Sequence, residues 1–251
     1  MISEFPLFVF TTFAGLAAGA YVMSAAFPKD ADDERPWIFP LAMLVLLGIG
    51  LLGCLGHLHH PERFMNALWN PMAGITQEAY LSILFGIVLV IDLVMCAVKG
   101  AAPRALRIVG AAFGFLLTCV MGYAYSTTLG VAAWSTPVTI PLFVVGDLAM
   151  GSALWAILKR GAYEAKAYTY TACVVEALFA CTLVAVAMHF AGLGFGVIPF
   201  VAAIVLAPVA HIALAIMALK GNRRWIAPVA FACVLVGVAV ARYAFYAAYV
   251  M

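Results

Sequence analysis

WIFPLAMLVLLGIGLLGCL, residues 37–55, decides the fold. It contains no charged, amide or hydroxyl side chain. At about 1.5 Å of rise per helical residue it reaches roughly the 30 Å thickness of a bilayer's hydrocarbon core. It is about twice the length of a transmembrane strand and lacks the strict alternation such a strand carries, so it reads as a spanning helix.

The rest of the chain agrees. Of 251 residues, 67% are hydrophobic and 10% charged, and mean hydropathy is +1.12. Soluble domains carry about 25% charged residues, and a single water-soluble core stops growing at roughly this chain length. The sequence is that of an all-α, polytopic membrane protein forming one integral-membrane unit over 1–251. Cutting it at charges, prolines and turn residues gives eight transmembrane helices, near 5–27, 37–56, 76–98, 104–126, 137–158, 167–191, 195–219 and 226–249. The residues before the first run, MISE, lack the basic n-region of a secretory signal, so that run is expected to be retained as a helix.

Eleven of the thirteen basic residues fall in alternate connections. Lys29 and Arg35 follow the first span, and Lys99, Arg104 and Arg107 the third. Lys159, Arg160 and Lys166 follow the fifth, and Lys220, Arg223 and Arg224 the seventh. Only Arg63 and Arg242 remain for the other side. The positive-inside rule then places those four connections in the cytoplasm and both termini on the outer, periplasmic side of a bacterial inner membrane.

On that outer side lies GHLHHPERFMNALWNP, residues 56–71, with three of the five histidines within four positions. Counting along the helices brings other groups to the same level. Glu78 heads the third span, and Arg242 lies about two turns from the outer end of the eighth, with Phe245 and Tyr246 beyond it. In AYSTTLGVAAWSTPVTIP (124–141), Ser135-Thr136-Pro137 reads as an N-cap followed by proline at the first helical position. The outer-level set is therefore His57, His59, His60, Arg63, Asn66, Glu78, Trp134, Arg242 and Tyr246, with His189 near it. Ordinary membrane roles compete for some of these. Tryptophans at either boundary anchor helices, Arg63 can hold a lipid phosphate, and loop histidines are often simply solvated. Glu78 and Arg242 are harder to dismiss, because a charge inside a span costs roughly 2.5–3.5 kcal/mol on the mildest scale and needs a partner or a purpose.

Deeper ionisable groups are Asp92, Asp147, Glu176 and His211. Asp92 and His211 are expected to bond to neighbouring helices. Asp147 and Glu176, near the midplane, suit either that or a proton route. The six cysteines sit in apolar runs without CxxC or CxxCH spacing, so no iron–sulfur cluster or covalent haem is signalled in this chain. No nucleotide-binding or nucleophile-elbow motif occurs, and nothing points to nucleic acid.

A chain with no redox centre and little soluble structure does not reduce anything alone. Outer-level His, Glu and Arg do suit oxidation of a lipid-soluble hydroquinone. That reaction releases two protons with two electrons, and neutral imidazole or carboxylate within about 3 Å of each hydroxyl can accept the protons. The electrons then leave to a centre on another subunit.

Several stretches resemble the DmsC family, the membrane anchors of dimethyl-sulfoxide-reductase-type enzymes. They are FPLFVFTTFAG (5–15) and GHLHHPERFMNALWN (56–70), where the family shows His-Leu-x-x-Pro-x-Arg-x-x-Asn. ITQEAYLSILFG (75–86) follows with its acidic residue, then AAWSTPVTIPLF (132–143) and ARYAFYA (241–247). The resemblance implies an eight-helix anchor, menaquinol bound near the outer face, and His57 and Glu78 as proton acceptors. It also implies a four-cluster iron–sulfur subunit and a molybdopterin catalytic subunit as partners, with no haem in the anchor. His60, Arg63, Asn66, Trp134, Arg242 and Tyr246 complete the expected quinol site. Two features depart from the pattern. His59 and His60 occupy variable positions where they can assist or replace His57. GVAVAR (237–242) offers Val238 where an acidic residue is expected before the arginine, so a partner for Arg242 must come from elsewhere, Glu78 being one candidate. Two other functions compete with the anchor reading. One is a b-haem subunit ligated by His57, His59 or His60 opposite His189. The other is a proton-coupled transporter using Asp147 and Glu176.

Overall fold

The structure, a computed structural model, describes residues 4–28, 35–57, 64–221 and 223–249. Within them the chain is helical: α1 (Phe5–Ala26), α2 (Ile38–His57), a short α3 (Phe64–Ala67), α4 (Gly74–Lys99), α5 (Arg104–Ser126), α6 (Thr139–Leu158), α7 (Lys166–Gly192), α8 (Ile198–Ile204), α9 (Ala210–Lys220) and α10 (Ile226–Ala247). A π turn, Val205–Val209, joins α8 to α9 into one span. Among the described residues, eight helices are long and apolar enough to cross a membrane, and no boundary lies more than three residues from its expected place.

The break at α8–α9 follows from Pro208, which has no N–H to donate and whose ring crowds the preceding turn. α4 ends where Gly100 takes a left-handed conformation (φ 75°), its N–H returning to the Cys96 carbonyl at 3.1 Å, and Pro103 precedes α5. One expected cap is corrected. α6 starts at Thr139 without a side-chain cap rather than at Pro137. The Ser135 hydroxyl donates instead to the Thr128 carbonyl, closing the α5–α6 loop, and Thr139 Oγ1 donates to the Trp134 carbonyl at 2.7 Å.

α1 and α6 form the centre of the bundle. α2, α4 and α5 pack on one side of this pair and α7–α10 on the other. The crossing is close because glycines remove side chains from it. A Cβ on Gly15 would overlap the Asp147 carboxylate, one on Gly19 the Asp147 backbone carbonyl, and one on Gly151 the Gly19 backbone. Gly15 and Gly19 are spaced as in the small-xxx-small pattern by which membrane helices approach, since lipid offers no hydrophobic drive for association. The outward faces carry side chains such as Leu52, Val98 and Ile198, more than two-thirds exposed, as lipid contact requires.

Both described chain ends lie at one end of the bundle, with the start of α4, the α5–α6 loop and the end of α7. The opposite, basic end carries Arg35, Lys99, Arg104, Arg107, Lys159, Arg160, Lys166, Lys220, Arg223 and Arg224.

Candidate functional site at the terminal end

A cavity of about 160 Å³ opens between α1, α2 and α4 near the end that carries the termini. Phe10, Leu51, Cys54, Glu78, Ser82 and Ile83 are among the residues lining it. Glu78 and Ser82 are one helical turn apart and so share a face of α4. Both are buried, and neither Glu78 Oε1 nor Ser82 Oγ has a hydrogen-bond partner among the described residues. A buried polar atom left unpaired costs about 1–3 kcal/mol. Two together in an apolar wall mark a place where something else is to be bonded. Leu51, Ser82 and Ile83 also line a second, strongly apolar groove of about 380 Å³, so the cavity continues into it. That groove runs along the α2–α4 seam past Leu47, Gly48, Gly86 and Ile87, and the two glycines keep it open.

His57 does not line the cavity. It ends α2, one turn beyond Cys54, with its side chain about one-third exposed. Its Nδ1 lies 3.2 Å from Oε2 of Glu4, which is buried at the start of α1. Sequence reasoning missed Glu4, although an acidic residue directly before the first span stands at the level reached by the end of the second. His59, His60 and Arg63 lie outside the described residues. Asn66 is exposed, and its carbonyl accepts the Trp69 N–H at 3.3 Å.

The remaining expected site residues are placed elsewhere, in the interior. Arg242 is fully buried. It pairs with Asp147 through Nη2–Oδ1, donates from Nη1 to the Thr11 carbonyl at 2.6 Å, and lies over the Phe143 ring with 5.0 Å to its centroid. Its carboxylate partner is thus Asp147 and not Glu78. Gly15 is the reason, because the missing side chain admits the Asp147 carboxylate against α1. Tyr246 shares a hydrogen bond with Thr11 Oγ1 at 3.1 Å. Trp134 donates to the Phe245 carbonyl at 2.7 Å and stacks on Phe245 and Tyr249, and Tyr125 packs edge-on to it. These aromatics plug the end of the bundle over the ion pair and do not line the cavity.

The other intramembrane charges are paired across helices. Asp92 accepts from Tyr21 at 2.7 Å and from Cys96 at 3.3 Å, and lies 3.5 Å from Arg107 Nε. His211 bridges Glu176 Oε1 and the Tyr163 hydroxyl, each at 2.6 Å. Burial, and then the Glu176 carboxylate, push the Tyr163 phenol well above its ordinary pKa. His189 directs its Nε2 to the Ala132 carbonyl at 3.1 Å.

Residues 1–198 match the family described as DMSO reductase anchor subunit (DmsC). The match ends before α9 and α10, so the 241–247 stretch lies beyond it. The chain is also similar to the anaerobic dimethyl sulfoxide reductase chain YnfH of Escherichia coli (strain K12), with 32% identity over 193 residues. That alignment takes in 71% of this chain and 66% of the relative, just under two-thirds of the relative's length. With eight apolar spans and a family match over most of its length, the chain belongs to the DmsC family of membrane anchor subunits.

Proposed function

We propose that this anchor oxidises a membrane hydroquinone, menaquinol, and delivers its electrons to an iron–sulfur subunit feeding a molybdopterin reductase. The observation that carries this reading is Glu78. Its Oε1 is buried, has no hydrogen-bond partner among the described residues, and lies in a cavity that continues into an apolar groove between two spans. Ligand pockets for molecules of drug size begin near 300 Å³. The 160 Å³ cavity therefore suits the head-group end, and the 380 Å³ groove the isoprenoid tail.

In this mechanism a quinol hydroxyl donates to Glu78 Oε1, with Ser82 Oγ as a second hydrogen-bonding group on the same face. Oxidation removes two electrons and two protons. Glu78 accepts one proton and the His57–Glu4 pair, one turn nearer the membrane boundary, receives the other, and both then pass to water. The electrons pass to the iron–sulfur subunit, which docks at the terminal end. Met65, Trp69, Met72 and Leu129, each about two-thirds or more exposed there, give that subunit an apolar contact surface. The concentration of basic residues at the opposite end supports a topology with both termini outside the cytoplasmic membrane.

A photoreactive menaquinone analogue tests the site. Cross-links should fall in residues 44–55 of α2 and 75–91 of α4 and be competed by excess menaquinone. Labelling confined to α7–α10 would refute the placement.

A further inference from the structure

A second site lies at the basic end, far along the chain from the quinol cavity. The α6–α7 connection and the start of α10 enclose a pocket of about 590 Å³. Arg160, Arg223 and Arg224 line it together with Glu164, and its apolar wall includes Ile157 and Pro228. We propose that it binds the head group of an anionic phospholipid.

Charge complementarity comes first. Three guanidiniums against one carboxylate leave a positive pocket, and the N-terminus of the 22-residue α10 adds its dipole to it. Guanidinium presents paired N–H donors matched to phosphate oxygens. Among the described residues, none of the three arginines lies within ion-pair distance of a carboxylate.

Depth separates a lipid from a soluble anion. The arginines stand where spans end, and Ala156, Ile157, Ala227 and Pro228 continue the wall into the spanning part of α6 and α10. Trp225, next to Arg224 and 44% exposed, sits where interfacial tryptophans mark the head-group level. A molecule with a phosphate above and acyl chains below matches this arrangement, and basic pockets between helices are suited to such lipids.

The floor is held rigid. Gly161 turns with φ 74°, and the 3-10 turn Ala162–Glu164 drives Tyr163 inward. There its hydroxyl meets the His211–Glu176 pair and its carbonyl accepts Thr169 Oγ1 at 2.7 Å. The buried polar triad thereby fixes the turn that follows Arg160 to α7 and α9.

The test uses the complex purified from membranes, incubated with mixed micelles of phosphatidylglycerol or phosphatidylcholine, or with inorganic phosphate alone. Bound lipid is counted by native mass spectrometry and thermal unfolding is followed in parallel. Phosphatidylglycerol should be retained and should raise Tm, and each of Arg160→Gln, Arg223→Gln and Arg224→Gln should weaken retention by about fivefold. Lys220→Gln, a charge change outside the pocket, should leave it unaltered. Ala227→Leu keeps every charge but narrows the apolar wall, and it should also lower retention. The proposal is overturned by equal retention of phosphatidylcholine, by unchanged phosphatidylglycerol binding in the arginine variants, or by inorganic phosphate giving the full Tm rise.

Discussion

Arg242 and Asp147 form an ion pair with no solvent exposure on either side chain, and Gly15 of α1 supplies the space in which they meet. Three spans are joined there, because Arg242 belongs to α10, Asp147 to α6, and the Thr11 carbonyl that takes the second guanidinium hydrogen bond to α1. The pair engages Asp147, one of the two midplane carboxylates named for a proton-coupled transporter, and the other, Glu176, is bonded to His211.

Removing one partner of a buried pair leaves an uncompensated charge and costs about 3–5 kcal/mol. Arg242→Met and Asp147→Asn should each lower the amount of folded anchor in membranes and its Tm. The double variant should be less damaged than the two losses added together, as groups in direct contact couple. Thermal unfolding of the purified variants measures this directly.

The glycine crossing makes a sharper claim about packing. Gly15→Ala and Gly19→Ala place a methyl group on the Asp147 carboxylate or the α6 backbone, and overpacking of this kind costs about 1–3 kcal/mol or more. Gly48→Ala, which meets nothing within 4 Å, should be neutral. Detergent-resistance or Tm measurements on the three variants should separate them cleanly.

Much of this architecture was legible in the sequence. Span number and boundaries follow from long apolar runs, and the two-ended charge distribution follows from the loops, because both depend only on local composition. Asp92 and His211 bond between helices as their depth required. What escaped was pairing across spans. Level offers Glu78 as one candidate for Arg242, but level along the membrane normal says nothing about which helix lies adjacent. The Gly15–Gly19 spacing was the available signal that α1 packs closely against another span. Glu4 escapes for the same reason, since nothing local to the residues ahead of the first span shows that His57 of the second lies beside them. Trp134 and Tyr246 share the expected level yet turn into the aromatic plug, since their polar tips find partners in Phe245 and Thr11.

His57 and Glu4 should behave as one unit. His57→Ala and Glu4→Gln are each expected to slow quinol-dependent turnover by about 100-fold, the lower end of what positioned proton-transfer groups contribute. The double variant should be little worse than either single one. Steady-state rates with a quinol donor, set beside rates with a reduced dye that bypasses the anchor, give the comparison.

The groove is expected to act on substrate binding. Gly48→Ile projects a side chain into the α2–α4 seam where no atom lies within 4 Å of a new Cβ. KM for a long-chain quinol should rise by about tenfold, roughly the 1–3 kcal/mol range of one or two methylenes in an apolar pocket. Short-chain analogues should be affected much less, which titration of both donors would show.

The most direct measurement concerns Glu78 itself. In the assembled complex, Glu78→Gln keeps the shape of the cavity and removes the proton acceptor. Quinol-dependent reduction should fall by about 100-fold or more while dye-dependent reduction is kept, as loss of a general base requires. Quinol turnover at the unaltered rate in that variant would contradict the account.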